Sequence, residues 1–227
     1  MKKKNVYLIL SATFGVLFLL LISLLKTVDV GVNPETNTEI GLYSLNKAVF
    51  NALGKNLVWK SITGVLGYVA FAVACAFVGL GVYQLVKGKS FKAVDKNIYA
   101  LGVVYVCLAV LYVFFEKVVI NYRPVILDAE KGAEASFPSS HTMLAVTIIL
   151  SGLIEFNELV KNKTVKTAVF AVSVIYVVIL VVGRLISGVH WFTDILGGVL
   201  ISLCLVCAYG AFVNKTPRET VDDAQGE

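Results

Sequence analysis

Apolar residues fall along this chain in long uncharged blocks, not in the spaced stripes of a water-soluble core. Five blocks, 5–25, 61–86, 97–115, 167–183 and 195–214, contain no Asp, Glu, Lys or Arg. Each is long enough, or nearly so, to cross a bilayer core of about 30 Å as a helix. A sixth block, 135–154, holds one ionisable side chain, His141, near its start. The pattern predicts an all-α fold: a polytopic membrane bundle of six transmembrane helices with both termini on one side. A single six-span domain covers 1–214, and the polar stretch 215–227 reads as a disordered cytoplasmic tail. Between the first two blocks, Leu42, Leu45, Val49 and Leu53 share one helical face and Ser44, Lys47, Asn51 and Lys55 the other. That is the pattern of an amphipathic helix in the membrane interface, acting either as a wall for lipid access or as a plain tether.

Composition agrees with the blocks. Hydrophobic residues make up 58% of the chain, charged residues 15%, and mean hydropathy is +0.82. A soluble domain of this size could not hide so much apolar surface, so that class is excluded. A net charge of +5 is too small to suggest a nucleic-acid partner. The placement of the cations says more than their sum. With the N-terminus inside, the cytoplasmic segments collect Lys2, Lys3, Lys4, Lys87, Lys89, Lys92, Lys96, Lys161, Lys163, Lys166, Lys215 and Arg218, twelve of the 20 basic residues. This bias predicts a multi-pass protein of the cell membrane with both termini cytoplasmic. The run after Met1-Lys2-Lys3-Lys4 is too long for a typical signal-peptide core and no small-x-small site follows, so an uncleaved first helix is expected. Cys75, Cys107, Cys204 and Cys207 all lie inside apolar runs and read as small core residues, not as a disulfide or metal set.

In the predicted topology the catalytically capable side chains gather on one face. Arg123, His141, Arg184, His190 and Asp194 all fall at the extracytoplasmic ends of spans three to six. His190 and Asp194 are four positions apart, a spacing that puts both on one helix face. A carboxylate beside one ring nitrogen fixes the tautomer and leaves the other as nucleophile or base. The plainer reading is an interfacial His next to an Asp that favours the helix dipole. Arg184 ends a span, at a depth where charge is costly unless it snorkels or serves a function. Ser187-Gly188 permits the reversal that returns the chain to His190. Pro138-Ser139-Ser140-His141 has the form of a capped helix start, whose free N–H groups bind anions.

An arginine-proline pair, a Ser-rich helix start with His, and Arg-x5-His-x3-Asp thus occur in order. This constellation resembles the type 2 phosphatidic acid phosphatase superfamily, whose signature is K-x6-R-P, P-S-G-H and S-R-x5-H-x3-D. The resemblance covers about 116–198, and the six-span layout extends it over most of the chain. It implies that His190 is a nucleophile forming a phosphohistidine, oriented by Asp194, and that His141 protonates the leaving oxygen and later activates water. It further implies that Arg123, Arg184, Ser139, Ser140 and nearby backbone N–H groups hold the phosphoryl oxygens. The enzyme so implied is a metal-independent, acid-phosphatase-type hydrolase without a cofactor. Its partner would be a membrane lipid phosphate such as phosphatidic acid, phosphatidylglycerophosphate or undecaprenyl diphosphate. A phosphotransferase between lipids would use the same intermediate, and a non-catalytic lipid-binding or transport protein would keep only the pocket.

Three positions depart from the signature. Ser140 stands for the motif glycine, Gly183 for the serine before Arg184, and Glu116 for the lysine. Lys117 follows one position later, about 100° round the helix. Its long side chain either reaches the phosphate or snorkels to the headgroups. Glu116 either pairs with Lys117 or Arg123 or marks the end of span three.

Overall fold

The computed structural model describes residues 2–214; the polar tail 215–227 lies outside the described residues. The elements run α1 (Lys3–Thr27), β1 (Gly31–Asn33), β2 (Thr38–Ile40), α2 (Tyr43–Leu53), α3 (Leu57–Gly88), a 3₁₀ turn (Phe91–Ala93), α4 (Lys96–Lys117), α5 (Ser140–Leu159), α6 (Lys163–Ile186) and α7 (Phe192–Val213). All but α2 among these helices are long and apolar enough to cross a membrane, six in number among the described residues. The six-span all-α bundle is therefore present, with the amphipathic helix α2 between spans one and two.

The centre of the bundle is α5. Of its apolar window 61% is buried inside the protein, against 6% for α3. The sequence explains the difference. α5 carries Thr142, Thr147, Ser151 and Gly152, small residues that let neighbouring backbones approach where lipid offers no hydrophobic drive for association. Ser202 of α7 donates to the Met143 carbonyl at 3.0 Å, and Tyr209 of α7 donates to Glu155 Oε2 at 2.7 Å. α5 packs on α7, α3, α6 and α4, while α1 closes the outside of α7.

Expectations change at several points. α5 starts at Ser140 and runs to Leu159, five residues later at both ends than the hydropathy block 135–154. Residues 135–139 form a loop that reads as apolar, and Glu155, just past the end of that block, is fully buried and bonded by Tyr209. Cys75 and Cys107 are exposed on the bundle surface, not in the core; only Cys207 is buried. α2 keeps Leu45 and Leu53 exposed, as the apolar face of an interfacial helix would be, while Asn46 is buried because its amide is bonded into the start of α7. The small antiparallel hairpin β1–β2 was not expected at all: three residues per strand are too few to show a period.

The hairpin and α2 matter because they brace the loops that bear the chemistry. Asn33, buried at the end of β1, donates to the Pro124 carbonyl at 3.0 Å. Lys26, in the last turn of α1, donates to the carbonyls of Val119 and Ile120 at 3.3 and 3.0 Å. Asn46 donates to Thr193 Oγ1 at 3.0 Å and accepts the Thr193 N–H at 3.2 Å. Phe50 lies against Trp191 with ring centroids 5.6 Å apart.

Candidate active site

The α4–α5 connection pairs with itself before it reaches α5. Arg123 N–H donates to the Glu134 carbonyl at 2.9 Å, Ser136 N–H donates to the Asn121 carbonyl at 2.9 Å, and Tyr122 and Ala135 form an antiparallel bridge between them. This short ladder places Arg123 beside the residues that lead into α5. Gly188, at φ +66°, makes the sharp turn after α6 that a side chain would strain. A Cβ there would also lie 2.3 Å from the Gly54 carbonyl oxygen, so the α2–α3 corner and this turn require each other.

His190 sits at the end of that turn, two residues ahead of α7. Its approach to Asp194 is thus made by a turn entering a helix, not by a helix face, with Nδ1 3.7 Å from Asp194 Oδ2. The shorter contact of Nδ1 is to the Ser136 carbonyl, at 3.1 Å. A carbonyl only accepts, so Nδ1 carries the proton and Nε2 is left with a free lone pair. Asp194 accepts the Trp191 N–H at 2.9 Å and the Asn121 side-chain amide at 3.3 Å. It therefore holds the backbone just after His190 as well as facing the ring. Burial pushes the His190 pKa well below the ordinary imidazole value, and the charges of Arg184, Arg123 and His141 push the same way; the Ser136 bond opposes them weakly.

On the other side of the ring, Arg123 Nη1 lies 3.2 Å from His190 Nε2 and donates at 3.2 Å to the Val189 carbonyl. Its Nε lies 3.2 Å from Glu134 Oε2. Arg184 is in the last turn of α6, 3% exposed, with Nη1 donating to Thr63 Oγ1 at 3.4 Å and Nε without a partner. A buried guanidinium with donors to spare is suited to an anion. Gly183 explains its own departure from the signature. A Cβ there would meet Trp59 Cε3 at 2.7 Å and Thr63 Cγ2 at 2.8 Å, so α3 and α6 touch at this level because no side chain intervenes.

The start of α5 offers the third set of donors. Ser139 N–H is spent on the Asp194 carbonyl at 3.0 Å, and Ser139 Oγ accepts from Thr142 Oγ1 at 3.1 Å. The first intrahelical bond runs from Met143 N–H to the Ser139 carbonyl. The N–H groups of Ser140, His141 and Thr142 are therefore the ones a helix start leaves for an anion.

A tight pocket of about 10 Å³, room for one water-sized group, is bounded by Arg123, Ser136, Ser140, Glu116 and His190, among others. His141 does not line it. It lines an adjoining apolar cleft of about 720 Å³ between α3, α4 and α5, together with Gly67, Tyr105 and Ile148. Tyr112, Ser140 and Met143 border both spaces, so the cleft begins where the pocket ends. Gly67 lies against the imidazole: a Cβ there would come into contact with His141 Cδ2 at 3.4 Å.

The structure thus brings Arg123, His190, Asp194 and Ser140 together, with His141 and Arg184 close around them and Ser139 behind. Lys117 is not brought in. It ends α4, exposed, and it is Glu116 that borders the pocket. Neither expected pairing of Glu116 is made; Arg123 pairs with Glu134 instead. Sequence reasoning missed the Ser136 carbonyl and Asn121. The first is backbone, and the second shows only as a polar residue that turns out fully buried. No group of three or more His, Cys, Asp or Glu side chains suited to a metal ion occurs among the described residues.

Comparison with known proteins follows the same lines. A solved structure titled as the first transmembrane PAP2 type phosphatidylglycerolphosphate phosphatase from Bacillus subtilis superposes with a TM-score of 0.66. It shares 19% identity, over 92% of this chain and 98% of that one, so the likeness is one of fold. No curated protein matches. The family model of the PAP2 superfamily matches residues 98–218, which takes in every element of the pocket and more than half of the sequence. The chain is a multi-pass membrane protein that belongs to the PAP2 superfamily.

Proposed function

We propose that this protein is a lipid phosphatase that works through a phosphohistidine at His190, on the extracytoplasmic face of the membrane. The observation that carries this reading is the state of His190. Its Nδ1 proton is committed to the Ser136 carbonyl, and its unprotonated Nε2, met by Arg123 Nη1, belongs to a ring that borders a pocket shared with Arg123 and Ser140.

The chemistry follows from the geometry. An arriving phosphate draws the Arg123 guanidinium from Nε2 onto its own oxygens, because a charged acceptor binds it more strongly than a neutral ring nitrogen. Arg184 and the first-turn N–H groups of α5 take the remaining equatorial oxygens. Nε2 then forms the P–N bond as the bond from phosphorus to the lipid oxygen breaks, and His141 gives that oxygen its proton. In the second half, His141 takes a proton from water. The water oxygen bonds to phosphorus, the P–N bond breaks, and inorganic phosphate leaves. Asp194 stabilises the imidazolium character that His190 gains in between. The two arginines supply the charge stabilisation for which other phosphoryl-transfer enzymes use metal ions, so the reaction is proposed to need none.

The adjoining cleft supports a lipid as the bearer of the phosphate. Its walls are apolar side chains of three spans, and it opens beside His141, where the leaving oxygen would lie. Sidedness rests on the bias of Lys and Arg toward the loops opposite the site.

Phosphate release from lipid monophosphates and diphosphates by the detergent-purified protein in EDTA tests the reading. Release that His190→Ala abolishes is expected; release that persists in that variant contradicts the mechanism.

A further inference from the structure

Arg184 carries a charge at the end of a span, 3% exposed, yet the protein gives its guanidinium very little to hold. Among the described residues its one hydrogen-bond acceptor is Thr63 Oγ1, 3.4 Å from Nη1, and Nε has no partner. Each buried donor left unpaired carries a desolvation cost, so such a group needs a counter-ion, a fixed frame or both. The phosphate is the counter-ion on the reading above. The frame is Thr63.

Thr63 is placed to accept. It lies on α3, fully buried, and its hydroxyl donates to the Trp59 carbonyl at 2.7 Å, with the Lys60 carbonyl at 3.2 Å. A guanidinium only donates and a carbonyl only accepts. The single hydroxyl proton therefore goes to the α3 backbone, and the oxygen is left to face Arg184. The methyl group fixes this orientation. A Cβ at position 183 would lie 2.8 Å from Thr63 Cγ2, so the methyl fills the space that Gly183 leaves. In a β-branched side chain methyl and hydroxyl turn together, and seating one aims the other. A serine at position 183, as in the signature, would bring a hydroxyl on the residue next to the arginine. Here α3 brings it, from 121 positions away in the chain.

We infer that Thr63 is a positioning residue that holds the Arg184 guanidinium in place for the phosphate. It acts through Arg184, not on the phosphate itself. The inference rests on Arg184 as a phosphate ligand, and not on the hydrolysis that follows.

Two substitutions separate the hydroxyl from the methyl. Thr63→Val keeps the shape and the contact with Gly183 but removes the acceptor; Thr63→Ser keeps the acceptor and removes the methyl. Titration calorimetry of the detergent-purified protein with inorganic phosphate reads the grip, and kcat/KM on a lipid phosphate reads its use. Thr63→Val should weaken phosphate binding by roughly tenfold, a factor that corresponds to about 1.4 kcal/mol. Thr63→Ser should stay close to wild type, and kcat/KM should follow the same order. Thr63→Ala differs from Thr63→Ser only by the hydroxyl and gives the same comparison if the valine variant does not fold. Binding weakened by Thr63→Ser at least as much as by the hydroxyl-free variants shows a packing role and overturns the inference. Binding and kcat/KM unchanged in every variant overturn it too, while hydrolysis that still depends on His190 leaves the phosphatase reading intact. If wild type hydrolyses no lipid phosphate but Thr63→Val loosens inorganic phosphate, the phosphatase reading fails and the inference stands. A wild type that neither binds phosphate nor hydrolyses lipid overturns both.

Discussion

Arg123 Nη1 faces Nε2 of His190 across 3.2 Å, so the side chain proposed to grip the phosphate also covers the atom proposed to attack it. One guanidinium cannot do both at once. On the proposed mechanism, phosphate binding and exposure of the nucleophile are a single event.

Arg123→Ala should therefore have two opposite effects. Turnover should fall by roughly 10²–10³, as when one preorganised donor to a developing charge is removed. Modification of His190 by diethyl pyrocarbonate should become faster than in the wild type, because Nε2 is uncovered. Modification that is slower or unchanged would mean that the contact does not shield the ring.

His141 borders the apolar cleft and not the tight pocket, which places it on the leaving-group side. His141→Ala should lower kcat by roughly 10²–10⁴ on an alkyl phosphate, the range for loss of a general acid. The loss in formation of the phosphoenzyme should be far smaller with p-nitrophenyl phosphate, whose leaving oxygen needs no proton. An equal loss in burst-phase rate on both substrates would demote His141 to a structural role.

The pKa of His190 is held well below its ordinary value, chiefly by burial and then by the charge of Arg184. The ring is neutral, and able to attack, at every pH above that lowered value. The acid limb of kcat/KM should lie below the unperturbed imidazole value of about 6.5. Stability follows the same sign. The native state binds fewer protons than the unfolded chain between the two values, so the contribution of His190 is fully present above about 6.5 and is lost as pH falls through the folded pKa. An acid limb centred above 6.5 that His190 variants abolish would contradict this.

Gly183 leaves no room for the serine of the family signature, since Trp59 and Thr63 occupy the place of its Cβ at 2.7 and 2.8 Å. Gly183→Ser should destabilise the protein by about 1–3 kcal/mol, the usual cost of overpacking, and should lower phosphate affinity because Arg184 is the next residue. Trp59→Ala added to Gly183→Ser should recover part of the melting temperature. Equal melting temperatures for wild type and Gly183→Ser would show that α3 yields without cost.

How much of this was readable in the chain depends on which physics wrote each part. The spans were legible because lipid demands long uncharged runs, and Arg123, His141, Arg184, His190 and Asp194 stood out because such residues are costly in those runs. The start of α5 was not legible. Ala135, Phe137 and Pro138 are as apolar as the helix that follows, and only the pairing of 121–123 with 134–136 shows that they are loop. The block 135–154 stops short of Glu155 because a lone acid ends an uncharged run, and the partner that satisfies it, Tyr209, lies 54 residues away. The Ser136 carbonyl could not have been found from side-chain motifs, since any residue supplies a carbonyl. Lys117 illustrates the opposite limit: a motif one residue out of step looked repairable by a flexible side chain, whereas helical rotation leaves Glu116 at the pocket.

The central claim is that His190 becomes phosphorylated in the course of turnover. The direct measurement is rapid quenching of the full-length protein with a ³²P-labelled lipid phosphate, followed by peptide mapping of the label. The account predicts a phosphoramidate on the peptide that contains His190, stable to base and labile to acid, absent in His190→Ala and longer-lived in His141→Ala. Turnover with no covalent label at His190, or label that persists at another residue in His190→Ala, would contradict it.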